Sequence, residues 1–284
     1  MTDASPILTT WTASDGYPTL VASWPTSGPP LGRVVVLHGV QSHQGWYQGL
    51  GRRLAEAGFV SHLPDRRGSG ANIKDRGHTP SAGRLVEDVG ELVSHLDSRD
   101  PGIPTAVVGI SWGGKLALLA AGRYPDTVSA LALVCPGVQP RVGVSFGERL
   151  RIAWAYFTNR TKRFPIPLSD PALFTANPAG QAFIATDPLG LREATAGLLA
   201  ASTFIDRSVA RVPPRIHQPV LLMLASEDRI VNNDLTRRYF DRLATRDREI
   251  IEYPGAHHTL EFEPQPSRYA ADLARWLRER LAAR

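Results

Sequence analysis

Four short apolar runs constrain this chain more than any other feature: RVVVLHG at 33–39, FVSHLPD at 59–65, TAVVGIS at 105–111 and VSALALVCP at 128–136. Each is largely apolar and too short for a stable helix, so each reads as a strand buried on both faces. The segments between them have helical spacing. GWYQGLGRRLAEAG closes at Gly58, and AGRLVEDVGELVSHLD repeats at Leu85, Val89, Leu92, Val93 and Leu96. The third helix, GGKLALLAAGRYP, is built of small residues and stops at Pro125. Strands alternating with helices require right-handed crossovers, which gives an α/β chain: a mostly parallel sheet flanked by helices on both faces.

The N-terminal stretch DGYPTLVASW alternates instead, and predicts a hairpin turning at Asp15-Gly16. The parallel pattern pauses after Gly137. It resumes with PVLLMLASED, the helix around DLTRRYFDRLA, the strand REIIEYPG and the helix PSRYAADLARWLRERLAAR, whose Tyr269, Leu273, Trp276, Leu277 and Leu281 share one face. Residues 139–214 therefore interrupt a core made of 1–138 and 215–284. This insertion opens with ERLRIAWAYF, in which Leu150, Trp154 and Phe157 share one side, continues through Pro-rich connectors and shows helical signals again in LREATAGLLAAS. Placed after the sixth strand, it is expected to form a helical cap, or lid, over the carboxyl edge of the sheet, where α/β proteins keep their ligands. Its aromatics Trp154, Tyr156, Phe157, Phe164, Phe174 and Phe183 suit an acyl pocket and a lid core equally.

A chain of 284 residues with 43% hydrophobic and 21% charged residues has the composition of a soluble globular protein. The net charge of +5 is spread thinly, with small clusters at Arg52-Arg53, Arg66-Arg67 and 160–163, and no aromatic-interleaved basic stripe of the kind that binds nucleic acid. A basic surface of this kind is compatible with peripheral contact to anionic lipid. The polar opening MTDASPILTT has no apolar leader core, and no apolar run has the 18 residues of a membrane span. One cysteine, Cys135, excludes an internal disulfide and a cysteine-rich zinc site. A cytoplasmic location is the expectation.

The chemistry is signalled by GISWGG at 109–114. Strand, Gly-x-Ser-x-Gly, helix is the pattern of a nucleophile elbow: a tight turn closes only on small neighbours and lifts Ser111 above the sheet. A serine hydroxyl needs a base, and the base an orienting acid. Two strand ends downstream supply them, Ser-Glu-Asp after PVLLMLA and Ala-His-His after REIIEYPG, leaving Glu227 or Asp228 and His257 or His258. The oxyanion of such a reaction needs backbone N–H donors, of which the residue after the nucleophile, Trp112, is one. DRRGSG lacks the spacing of a phosphate-cradling loop, and His257-His258 lacks the H-E-x-x-H arrangement of a zinc site. No cofactor and no metal are expected.

With LHGV, PDRRGSG, GISWGG, LASEDRIV and YPGAHHTLEFE together, the chain resembles the α/β-hydrolase superfamily, and within it the monoacylglycerol lipase-like or lysophospholipase-like serine hydrolases of the serine aminopeptidase S33 type. The resemblance covers residues 30–138 and 216–283; the insertion matches in position and length alone. It implies an α/β-hydrolase fold with Ser111 as nucleophile, Asp228 as acid because the family's acid precedes x-Ile/Val-Val, and His258 as base in Gly-x-x-His. His257 is then a neighbour at the rim. It also implies Val40, in the turn after the first buried strand, as the second oxyanion donor, His38 as a structural residue of that turn, and DRRGSG as a structural turn. The implied activity is hydrolysis of a small-molecule acyl ester through an acyl-enzyme. A serine at the elbow argues against the aspartate-dependent dehalogenases and epoxide hydrolases of this fold. An acyltransferase using the same acyl-enzyme, or a non-catalytic ligand-binding member of the fold, are the alternatives.

Overall fold

The computed structural model describes residues 5–281; residues 1–4, in the polar opening, and 282–284, at the end of the stretch PSRYAADLARWLRERLAAR, lie outside them. The chain opens with β1 (Ile7–Thr12) and β2 (Pro18–Trp24), an antiparallel pair whose turn places Gly16 at φ +76°. Then follow β3 (Gly32–Leu37), α1 (Gln48–Glu56), β4 (Phe59–Pro64), α2 (Ala82–Arg99), β5 (Thr105–Ile110), α3 (Gly113–Arg123) and β6 (Ala130–Val134). After an interruption come β9 (Val220–Ala225), α7 (Asn233–Phe240), β10 (Arg248–Tyr253) and α8 (Pro266–Leu281). The eight strands form one sheet in the order β1-β2-β4-β3-β5-β6-β9-β10, parallel from β4 to β10.

The central strands β3, β5, β6 and β9 are buried along their whole length, because helices cover both faces. α8 shows how a helix is fixed there. Its Leu273, Trp276 and Leu277 are fully buried, and burial of each such side chain contributes about 1.5–3 kcal/mol. α2 is started by Ser81, whose hydroxyl accepts from Arg84 N at 3.0 Å, and its five expected apolar positions all face the sheet.

The interrupting segment contains α4 (Phe146–Thr158), β7 (Arg163–Pro165), α5 (Pro178–Thr186), β8 (Glu193–Thr195) and α6 (Ala196–Val209). Two features differ from the sequence reading. LREATAGLLAAS is not one helical stretch: Glu193–Thr195 pairs antiparallel with Arg163–Pro165, and α6 begins only where the Thr195 hydroxyl accepts from Leu198 N. α5 lies within what reads as a connector, although Asn177 as cap and Pro178 in the first turn are a helix start signal. The segment has a small core of its own in Ile152, Ala155, Phe164 and Ala196.

Polar ties hold the segment to the sheet domain. Asp187 Oδ2 accepts from Trp46 Nε1 at 2.7 Å and pairs with His43 Nε2 at 3.1 Å, all three residues being buried. His43, which reads as a filler in the sequence, is thus a tie between distant parts of the chain. From α6, Ser202 Oγ accepts from Trp112 Nε1 at 2.9 Å, and Asp206 binds the buried Lys115 of α3. α4 behaves oppositely. Its Ile152 and Ala155 face inward, while Leu150, Trp154 and Phe157 are 58%, 73% and 83% exposed. Among the described residues no helix is long and apolar enough to cross a membrane.

Candidate active site

Ser111 stands between the end of β5 and the start of α3 with φ +52°, a left-handed conformation that non-glycine residues adopt at a cost of about 1–3 kcal/mol. The turn is over-determined by its neighbours. Ser111 N donates to Val134 O at 2.9 Å, and Ser111 O accepts from Gly114 N and Gly137 N at 3.0 and 2.8 Å. A Cβ at Gly113 would fall 2.2 Å from Leu37 O, and one at Gly109 2.5 Å from the Gly114 Cα. Both glycines of the motif are therefore required by close approach, and the strained serine between them has no room to relax.

Asp228 and His258 reach this serine from two other strand ends. His258 Nε2 lies 2.8 Å from Ser111 Oγ, and His258 Nδ1 lies 2.7 Å from Asp228 Oδ2. The other Asp228 oxygen accepts from the N–H groups of Ile230 and Val231, each at 2.8 Å, so the carboxylate is held by both oxygens. Asp228 and His258 are buried. Their neighbours differ: Glu227 is exposed, and His257 Nδ1 lies 3.5 Å from Glu263 Oε1 without a hydrogen bond. The buried Cys135 at the end of β6 also adopts positive φ, +42°, and its sulfur joins Asp228 and His258 in a cluster whose donor atoms lie within 4.8 Å of one another. Burial pushes this thiol well above its ordinary range. With both Asp228 oxygens taken by protons from His258 and the backbone, the cluster has the character of a hydrogen-bond chain rather than of an open set of metal donors.

The turn after β3 closes on the same serine. A Cβ built on Gly39 would lie 3.3 Å from Ser111 Cβ. Among the described residues neither Val40 N–H nor Trp112 N–H has an acceptor within the chain. His38 is buried in this turn, its Nδ1 donating to Gly39 O at 2.7 Å and its Nε2 accepting from Arg66 N at 2.8 Å. Burial first, and then the Arg66 charge, hold the imidazole well below its usual pKa, so it is neutral. DRRGSG is a turn in which Asp65 accepts from Gln44 N and Ala71 N while Arg67 pairs with Asp88 and Asp15.

Above His258 lies an aromatic wall. The Phe174 ring meets the imidazole edge-on at 6.2 Å, and Trp46 gathers Phe174, Phe183 and Phe262 at 5.8, 6.1 and 5.3 Å. The six aromatics singled out in the sequence of the inserted segment thus divide. Phe174 and Phe183 join this wall, Phe164 fills the segment's own core, Trp154 and Phe157 point to solvent, and Tyr156 is half-buried beside Phe157 and Phe204.

Residues 28–265 match the family model described as serine aminopeptidase, S33. The chain belongs to this family. Similar proteins include the monoacylglycerol lipase of Mycolicibacterium smegmatis, 28% identical over 89% of this chain and 90% of that protein. The human monoglyceride lipase is 25% identical over 88% of this chain and 82% of that one. Among solved structures, the monoacylglycerol lipase of Paleococcus ferrophilus superposes with a TM-score of 0.82 at 26% identity, over 92% of this chain and 98% of that one. A soluble variant of the Saccharomyces cerevisiae monoglyceride lipase, solved with a substrate analogue, reaches 0.87 at 19% identity and covers 97% of its own chain. The S33 hydrolase described here therefore has the α/β-hydrolase fold, with a mostly parallel eight-stranded sheet between helices. One of its site features gives no sequence signal of its own: Arg66 sits in a turn motif whose neighbour Arg67 has the obvious carboxylate partners.

Proposed function

We propose that this S33 hydrolase cleaves carboxylic esters, monoacylglycerols first among them, with Ser111, His258 and Asp228 as nucleophile, base and acid. The observation that carries the reading is the continuous chain of short hydrogen bonds from Ser111 Oγ through His258 to a fully held Asp228. His258 Nε2 accepts the Oγ proton as Oγ attacks the ester carbonyl, and Asp228 keeps the other ring nitrogen protonated and stabilises the imidazolium. The carbonyl electron pair moves onto oxygen, where the unpartnered Val40 and Trp112 N–H groups receive it, the N-terminus of α3 favouring the same charge. Collapse expels the alcohol, which takes the proton back from His258. Water, activated by the same histidine, then releases the acid from the acyl-enzyme.

The inserted segment 139–214 acts in this reading as the lid, with Phe174 and Phe183 as apolar wall for the substrate. The names of the similar proteins above favour a monoacylglycerol over a peptide, and hydrolysis over acyl transfer or mere binding. Fatty acid release from monooleoylglycerol is expected, with kcat/KM at least about 100-fold above that for aminoacyl p-nitroanilides. The reverse order would replace the esterase reading by a peptidase one.

The outward face of α4 fits a lipid surface. Leu150, Trp154 and Phe157 are exposed together, with Arg149, Arg151, Arg160 and Lys162 exposed around them. Changing the three apolar residues to serine is expected to weaken sedimentation with vesicles containing anionic lipid by at least about tenfold, with little change in Tm, because no buried contact is lost. Equal sedimentation of the two proteins would remove α4 from the interface.

A further inference from the structure

The turn following β4 buries a cation, Arg66, whose Nη1 lies 3.5 Å from Arg67 O in the same turn. The Arg66 guanidinium lies 4.9 Å over the ring of Trp112, and its Nη2 donates to Val40 O at 2.9 Å. Its Nε has no hydrogen-bond partner, and among the described residues no carboxylate forms an ion pair with it. Burial pushes its pKa down to about 10, so the charge persists at neutral pH. Arg67 beside it shows the ordinary solution, with Asp88 and Asp15 as counter-ions. A buried guanidinium with no carboxylate in contact, and only the Asp65 charge acting on it through space, is costly to keep.

Both residues that Arg66 grips carry the N–H groups assigned above to the oxyanion. We infer that Arg66 is the positioning residue of the oxyanion hole, an inference that rests on the ester hydrolase reading of the site. Its own backbone N–H is the first link. By donating to His38 Nε2 it leaves the proton on Nδ1, which donates to Gly39 O. Gly39 C=O and Val40 N–H belong to one planar peptide unit, so a donor on the oxygen both orients that N–H and polarises it. The guanidinium holds the next carbonyl, Val40 O, and thus the peptide on the other side of Val40. Its stacked face holds Trp112, whose indole N–H is engaged by Ser202 and whose backbone N–H is the second donor.

The charge itself adds to this. As the Ser111 Oγ–carbon bond forms and the Oγ proton passes to His258, a full negative charge appears on the former carbonyl oxygen. Arg66 offers a positive charge that no carboxylate contacts and that Asp65 offsets only through space, in surroundings where water screens little. A neutral bound ester gains almost nothing from it. The benefit therefore falls on kcat rather than on KM.

Wild type, Arg66→Met and Arg66→Lys are compared for Tm, for kcat and KM on p-nitrophenyl butyrate, and for inhibition by an alkylboronic acid, which forms an anionic tetrahedral adduct on a reactive serine. Arg66→Met is expected to lower kcat about 10- to 100-fold and weaken the boronate by a similar factor, with KM within about threefold. Arg66→Lys keeps the charge without the planar fork and is expected to recover part of both losses. A residue that only packs would lower Tm and leave the kcat of the folded enzyme and the boronate affinity alone, and that result overturns the inference. Should the Met variant not fold, Arg66→Lys decides: a fall of at least about threefold in both quantities supports the inference, and none overturns it. A wild type that does not turn over the ester brings down the hydrolase reading and this inference with it. A wild type that does, beside variants that match it, brings down only the role of Arg66.

Discussion

Ser111→Ala will reduce ester turnover by roughly 10⁴- to 10⁶-fold, measured with p-nitrophenyl butyrate and with monooleoylglycerol. Only one oxygen is removed, and the turn is held by backbone bonds to Val134, Gly114 and Gly137, so the fold survives the change. The companion variant Ser111→Gly is equally inactive but more stable than wild type by about 1 kcal/mol, because glycine occupies φ +52° without a clash between Cβ and backbone. A fluorophosphonate will label wild type at this residue and neither variant. Turnover that persists in Ser111→Ala, at anything near the wild-type rate, assigns the chemistry to another nucleophile and ends the present reading.

The two adjacent histidines give the second large effect. His258→Ala is expected to lower kcat by more than about 10³-fold, since it removes the proton acceptor 2.8 Å from Ser111 Oγ and leaves Asp228 facing an empty site. His257→Ala is expected to stay within about threefold of wild type, because its ring makes no hydrogen bond and faces Glu263 rather than the serine. The pair share their backbone surroundings, which makes each the control for the other. Were His257→Ala the inactive variant and His258→Ala an active one, the base would be misassigned.

Much of the core is legible before any coordinates because its signals are local. A β-branched run such as TAVVG has only one economical place, the middle of a covered sheet, and a strand followed by Gly-x-Ser-x-Gly has only one turn that closes. Gly113 illustrates the point, since its missing side chain is demanded by Leu37 O, an atom fixed by the neighbouring strand. The inserted segment resists the same reading because its contacts are long-range. Nothing near Asp187 in sequence announces that it meets His43 and Trp46, 144 and 141 positions away. The short ladder of β7 and β8 pairs three residues with three, too few to show a period, and Glu193–Thr195 therefore reads as the start of the following helix. α4 shows a further limit. Its spacing reveals that Leu150, Trp154 and Phe157 share a side, but periodicity has no sign, and only the packing of Ile152 and Ala155 decides which side is inward. At the site, the choice of Asp228 and His258 over their neighbours came from the resemblance, whereas Arg66 offers no pattern at all because its partners are a carbonyl, a ring and a backbone-bound imidazole.

The contacts of α6 with Trp112 and Lys115 bear on how such a chain diversifies. The helix that follows Ser111 is also the floor on which the inserted segment stands, so the two cannot drift apart freely. A change at Ser202 or Asp206 leaves the Trp112 indole N–H or the buried Lys115 ammonium without its partner. Exchange of the insertion between relatives, the obvious route to a new substrate range, therefore has to carry positions 112 and 115 with it. What looks like a removable module on the sheet is, at this seam, bonded to the helix beneath it, so the two have to change together.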